Sequence, residues 1–367
     1  MPLVQKMLFK EILIPFLFSF LGLSLFLTIG KLFSFLDTFI IAGAGMGEIP
    51  KLIWLMLPAL WAFIIPMAAL LGILLAFLRL SRDNEIIALL ASGIRPLYLI
   101  KPVAIVSFVL FIANLLITIY LFPAANASVK EYLVRITETI LSKGLPEKTF
   151  FSPIPGLTLY VHEAHNGGKN LKGVFIRDAR EEKASGEGFA KEGDFFADPE
   201  TKQMVLRLKE GTILRVSNDL SVRDNIRFDE YVLKLTLGSA SRKISRGEMT
   251  LSELNNKWNN PETPKKKKIL CKIEFIKRFA IPLGTIILGL LAMPLGIIFG
   301  RTGPSGGTAI GLMAYLTYYL ATAFAANAAR STPMSPFIVM WIPDIIFLAM
   351  AVALIFYLEK RGPVRWR

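Results

Sequence analysis

The sequence is poor in the residues that do chemistry. Its 367 residues include one cysteine and two histidines. A single cysteine, Cys271, excludes an internal disulfide and any multi-cysteine metal site, and its place at the entrance to an apolar run suits packing. There is no Walker A pattern, no Gly-x-Ser-x-Gly elbow and no His-Glu-x-x-His. His162 and His165 bracket Glu163 and Ala164, one residue short of that zinc motif. On a strand these positions face opposite ways, so two surface histidines are expected and no metal. If ATP is used, another chain must hold it. Charge is scarce as well: 19% of residues are charged and 53% hydrophobic, outside the range of soluble domains. The class is an integral membrane protein. The net charge of +14 would suggest nucleic acid in a soluble chain, but no zinc-finger spacing is present and long apolar runs dominate. Membrane-flanking cations and an anionic ligand account for it better.

A membrane span needs roughly 20 apolar residues. Six segments qualify: 12–36, 52–78, 99–122, 272–299, 305–328 and 336–358. Lys6 and Lys10 precede the first, but its apolar run is too long for a signal-peptide core and lacks a small-residue cleavage site, so an uncleaved span is expected. Six spans place both termini on one side. Lys6, Lys10, Arg79, Arg82, Arg95, Lys101, Arg301, Lys360, Arg361, Arg365 and Arg367 flank that side, against only Lys51 and Arg330 in the short loops opposite. By the positive-inside rule both termini are cytoplasmic, and the 123–271 insertion is extracytoplasmic. The run Lys265–Lys268 goes against this count, although long loops cross largely regardless of charge. The halves, three spans each, show no sequence repeat. Pro58, Pro66, Pro282 and Pro294 lie inside spans and are expected to kink them.

The insertion opens with a helical continuation, 126–142, whose apolar stripe includes Val129, Tyr132, Leu133, Ile136 and Ile140. The period then changes to two. Strands are expected at 157–162, 173–177, 204–208, 212–216 and 231–237, with Gly167, Gly168 and Asp198–Glu200 in the turns. Many short strands at this spacing suggest a β-sandwich or jelly roll. Thr250 and Glu253 have capping-box spacing and open a short helix.

Between spans two and three lies a connector too elaborate for a turn, residues 79–93. Ser81 or Asp83 can cap a helix, Gly93 can end it, and Pro96 prevents its continuation. Ile86, Leu89 and Leu90 form an apolar face, with Arg82, Asp83 and Glu85 gathered near the first turn. The pattern fits a docking helix better than a solvated loop. Two other charges stand out. Lys31 follows nineteen uncharged residues near the outer end of span one, where it can snorkel, pair with Asp37 or meet an anionic ligand. Asp344 interrupts span six, at a depth that suits water exposure or a lysine partner.

Residues 79–94 resemble the coupling-helix signature of the lipopolysaccharide-export permeases, the LptF/LptG family. Residues 66–72 and 293–296 look like stretches of the same family, and the resemblance covers essentially the whole chain. It implies spans one to three with a coupling helix at about 82–92 (1–123), a periplasmic all-β jelly-roll-like domain (124–271), and spans four to six (272–367). The implied chain is a multi-pass permease subunit in the inner membrane of a Gram-negative bacterium, with no cofactor of its own. A separate cytoplasmic ATPase dimer would bind the ATP, beside a paralogous permease and periplasmic bridge proteins. Carried over by position, Glu85 engages the ATPase groove, and Arg82, Asp83, Ile86, Leu89 and Gly93 shape the contact. Lys31 would face the lipopolysaccharide cavity, with Lys51, Arg330 and the lysine run as a basic outer rim. Residues 173–178 and 341–343 look more like the LptF branch. Two rival classes are a membrane-anchored sensor or assembly factor signalling through 79–93, and an intramembrane enzyme. The second lacks a paired catalytic constellation within the spans.

Overall fold

The structure is a computed structural model that describes residues 2–41, 47–145, 147–154, 156–181, 184–197, 204–217, 223–235, 244–300 and 303–361. Six helices are long and apolar enough to cross a membrane, one for each expected segment. They are α1 (Pro2–Ile41), α2 (Glu48–Arg82), α4 (Pro96–Leu116), α7 (Lys265–Ile298), α8 (Gly303–Ser331) and α9 (Pro336–Arg361); the short α3 (Glu85–Ala91) joins α2 to α4. Helix α4 passes through a π-helical turn, Ile117–Leu121, into α5 (Phe122–Lys143). The chain divides into two compact units, 1–31 with 53–128 and 244–367, and 32–52 with 129–243.

The core of the first unit forms around α2 and α7, whose apolar faces are buried on several sides. Leu70, Ile73, Leu74 and Phe77 of α2 pack in one cluster with Leu288, Leu291, Ala292 and Met293 of α7. Two glycines permit the approach. A Cβ on Gly296 would lie 2.7 Å from Cβ of Phe77, and one on Gly72 would lie 2.6 Å from Cα of Phe16 in α1. Small residues that let backbones close in are the usual basis of helix association in lipid, where no hydrophobic force drives it. This explains physically the stretches 66–72 and 293–296, each of which ends on one of these glycines. The prolines expected inside spans, Pro58, Pro66, Pro282 and Pro294, all lie inside helices. Cys271 is buried with Met249 and Leu254, a packing position. The capping box of α6 (Leu251–Asn259) is present: the Glu253 amide donates to Thr250 Oγ1 at 3.3 Å, and the Thr250 amide donates to Glu253 Oε2 at 2.7 Å.

Among the described residues the second unit holds six antiparallel strands: β1 (Phe150–Ile154), β2 (Leu157–His165), β3 (Asn170–Glu181), β4 (Ala184–Ala197), β5 (Met204–Ser217) and β6 (Arg223–Leu235). Each bonds to the next in sequence, in the order β1-β2-β3-β4-β5-β6. The expected jelly-roll closure is therefore corrected to an open meander. A jelly roll needs Greek-key neighbours that are distant in sequence, whereas every pairing here joins consecutive strands. The expected strands 204–208 and 212–216 are one strand, β5. Glu210 takes a left-handed φ of 48°, yet the register with β4 is the same on both sides of it, at Lys209–Glu192 and Gly211–Ala190, so the ladder continues through it. β1 and β4 were not expected. β4 carries Gly186, Gly188 and Gly193 and has weak strand propensity, but it is paired along its length by β3 and β5. At the start of this unit, the Tyr132 hydroxyl bonds Glu48 and the Lys51 amine lies 4.9 Å over the Tyr132 ring.

Candidate functional site

The connector at 79–93 is built as a held helix. α2 runs on to Arg82, and the chain then reverses at Asn84, which takes a left-handed φ of 57°. Asn84 occupies the N-cap without a side-chain cap, so neither Ser81 nor Asp83 caps α3 as expected. Ser81 instead donates to the Ile297 carbonyl at 3.1 Å, tying the end of α2 to the end of α7. Asp83 pairs with Arg82 at 3.3 Å and with Arg79 at 3.7 Å, and Arg79 reaches Glu11 of α1 at 2.6 Å. The other end closes on Gly93. Its amide donates to the Leu90 carbonyl and the Ile94 amide to the Leu89 carbonyl, the paired bonds of a Schellman stop. Gly93 has φ of 87°, where a side chain would be strained.

Burial assigns the faces of α3. Ile86 is fully buried; with Leu90 it meets Pro96, Leu99, Ile297 and Leu358. Leu89 and Leu90 are half-buried against the main core. The apolar face expected for docking thus anchors α3 to its own bundle, and the face left outward carries Arg82, Asp83, Ile87, Ala88 and Ala91. Glu85 is half-buried at the first turn and has no ion-pair partner among the described residues. The structure thus pairs Arg82 with Asp83, leaves Glu85 outside that pair, and turns Ile86 into the bundle. Sequence reasoning missed the Glu11–Arg79 brace and the outward Ile87. The four-residue spacing of Arg79 and Asp83 was the only local signal for the first.

The remaining singled-out residues lie elsewhere. Lys31 is exposed on α1; the Asp37 side chain, Arg365 and Arg367 fall outside the described residues. Asp344 is neither water-exposed nor lysine-paired. It is buried in the bundle and accepts from the Tyr318 hydroxyl at 2.7 Å. His162 and His165 are both exposed, and His165 Nε2 lies 3.6 Å from Glu163. Among the described residues no group of three or more histidine, cysteine, aspartate or glutamate side chains could hold a metal.

A family profile described as "Lipopolysaccharide export system permease LptF/LptG" matches residues 6–357. The chain belongs to the LptF/LptG family. Similar curated proteins include the "Lipopolysaccharide export system permease protein LptF" of Escherichia coli (strain K12), 21% identical over 86% of this chain and 85% of that protein, with the same figures for the Shigella flexneri protein of that name. An uncharacterised protein of Rickettsia prowazekii is 23% identical over 66% of this chain and 68% of its own length. As an LptF/LptG family member, the chain is a multi-pass inner-membrane permease subunit with a periplasmic β-domain inserted between its membrane helices.

Proposed function

We propose that this chain is one permease half of an ATP-driven exporter that draws lipopolysaccharide from the inner membrane and hands it to a periplasmic bridge. The observation that carries the reading is the construction of α3. A seven-residue helix is far too short to be stable alone in water. Here it is fixed by buried Ile86, the Ser81–Ile297 bond and the glycine stop, leaving its acid–base turn outward. A surface held so firmly can pass a push from a cytoplasmic ATPase dimer into α2 and α7, which meet it directly. Glu85 is the acid to be met by a cation of that ATPase, with Arg82 and Asp83 flanking it. Ile86, Leu89 and Gly93 hold the helix in shape.

On the outer side, Lys31 attracts the phosphates or sugar acids of the substrate, consistent with a chain of net charge +14. The lysine run 265–268 at the start of α7, with Lys265, Lys266 and Lys267 exposed and Lys268 half-buried, adds to a basic rim. The edge strands β1 and β6 offer backbone groups for edge-to-edge docking with like domains of a paralogous permease and of the bridge. Within the family, the LptF branch is favoured by residues 173–178 and 341–343. The test is a pull-down of the full chain in mild detergent, with partners and bound lipid identified by mass spectrometry. A nucleotide-binding protein and a second permease are expected; recovery of neither would overturn the reading.

A further inference from the structure

The chain leaves the second unit before Ile244 and reaches α7 through residues 244–264. This strap is not a slack linker. It contains two short capped helices in succession. The first is the turn Arg246–Glu248, where the Ser245 amide donates to Glu248 Oε1 at 3.1 Å; the second is α6, capped by Thr250 and Glu253. Its apolar side chains are buried on α7. Met249 and Leu254 pack with Cys271, and the Trp258 ring meets Phe275 edge-on, 5.0 Å between centroids.

Arg278 of α7 lies against the first of these turns. It is 1% exposed, the largest fully buried side chain among the described residues. Its Nη2 donates to the carbonyls of Arg246 and Gly247 at 3.4 and 3.5 Å, longer than the usual 2.7–3.2 Å. Two carboxylates act on its charge, Glu274 one turn earlier on α7 and Glu253 on the strap. Nε and Nη1 have no access to solvent and no acceptor among the described residues. As a source of stability this is a poor arrangement. Long bonds and two idle donors do not repay the desolvation of a guanidinium, and an apolar side chain would fill the place at lower cost. What a buried charge supplies instead is a unique position: the strap must be seated so that two carbonyls and a carboxylate meet it. The apolar contacts hold the strap, and Arg278 fixes where it is held.

The chain going into the second unit comes to the same point. Asn126, two residues before that unit begins after Ser128, has its Nδ2 3.5 Å from the Gly247 oxygen. The opposite end of α7 meets α3. Ile297 receives Ile86, and its carbonyl accepts from Ser81. Nineteen residues separate Arg278 from Ile297, about 29 Å of helix at 1.5 Å per residue. Pro282 and Pro294 interrupt the backbone bonding of α7, but both are buried in the helical unit, where neighbouring helices fix the bend.

We propose that Arg278 is a positioning residue for transport: it sets where the strap is fastened on α7, so that a displacement imposed on α7 at α3 is delivered to the chain leading out of the β-strands. The inference rests on the coupling role of α3 proposed above, and its test separates the two.

The test uses the full chain in proteoliposomes, in the complex recovered with its ATPase and second permease. ATP hydrolysis and ATP-driven transfer of lipopolysaccharide to an added bridge protein are read side by side. Arg278→Met should keep hydrolysis within about twofold and lower transfer roughly fivefold or more, the lower end of coupling between distant sites. Arg278→Lys, which keeps the charge, should fall between. Fastening the strap by other means should restore the link. Leu254→Cys, oxidised onto the native Cys271 of the same cluster, should bring transfer by Arg278→Met back towards the unsubstituted rate, which a misfolded variant would not show. Equal transfer with and without Arg278→Met would overturn the inference, as would a parallel fall in hydrolysis and transfer that the staple does not mend. An unsubstituted complex that hydrolyses ATP without transferring lipopolysaccharide would overturn the transport reading, and the inference with it. Should Arg278→Met fail to fold, the stapled chain with Arg278 intact decides. Its transfer should be unchanged, and a stop would mean that the strap works by letting go, which overturns the proposal.

Discussion

Helices α2 and α1 are almost equally hydrophobic, yet 72% of the most apolar stretch of α2 is buried inside the protein against 17% of that of α1. α7 resembles α2 in this respect; α4 and α8 resemble α1. Hydropathy therefore reports that a helix belongs in a membrane and says nothing about which side meets protein. The difference lies in small residues. Gly72, Gly289 and Gly296 on α2 and α7 each have a neighbour where a side chain would sit, whereas Gly22 and Gly30 on α1 have none within 4 Å. The outer face of α1, with Leu17, Phe18, Leu21, Leu25 and Phe26 exposed, is left for lipid or a second chain.

Two pairs of substitutions test that contrast most severely. Phe77 is fully buried and Phe26 is 72% exposed. Phe77→Ala should cost the isolated chain about 3–5 kcal/mol, and Phe26→Ala less than about 0.5 kcal/mol, read by thermal unfolding in detergent. Equal losses would mean that α1 is packed as tightly as α2. Gly296→Leu should follow, at about 1–3 kcal/mol from overpacking against Phe77, with Gly22→Leu silent in the same assay. A tolerated Gly296→Leu would break the link between the family-like stretches and close helix approach.

The same contrast explains what could be read beforehand. All six spans were legible, because twenty apolar residues in a row have few other uses. The connector was legible too: Gly93 and Pro96 are punctuation that acts locally. Its orientation was not, since an amphipathic pattern gives a helix an apolar face without saying what covers it. Ile86 turned inward because Pro96 and Leu99 of the next helix and the sequence-distant Ile297 and Leu358 are there to receive it. β4 was hidden for a related reason, as its glycines become a strand only between β3 and β5. Arg278 was not singled out from the sequence, because what sets it apart is burial, which depends on the segments packed around it.

The connector offers a smaller effect that separates holding from docking. Glu85→Ala removes a half-buried acid that has no ion-pair partner among the described residues, so unfolding of the isolated chain should not change. Association with the ATPase should weaken by about tenfold or more, the scale of one lost charged contact at ~1.4 kcal/mol per decade. Ile86→Ala should do the opposite, destabilising α3 and the chain first. Unchanged ATPase recovery with Glu85→Ala would remove the outward acid from the coupling surface.

The smallest expected effect falls on α1, where burial gives least guidance. Lys31→Asp should leave unfolding within about 0.5 kcal/mol, as exposed positions generally do. Substrate attraction should fall several-fold, because a cation facing a polyanion becomes a like charge. Crosslinking of lipopolysaccharide to the reconstituted complex at low and high salt measures it. The defect should be larger at low ionic strength, since at 0.01 M the screening length is about 30 Å against roughly 8 Å at 0.15 M. A salt-independent loss would point to a damaged packing contact on α1. Normal crosslinking at both salts would make Lys31 an interfacial snorkelling residue, and the substrate's cations would then have to be sought on the helices that face the partner.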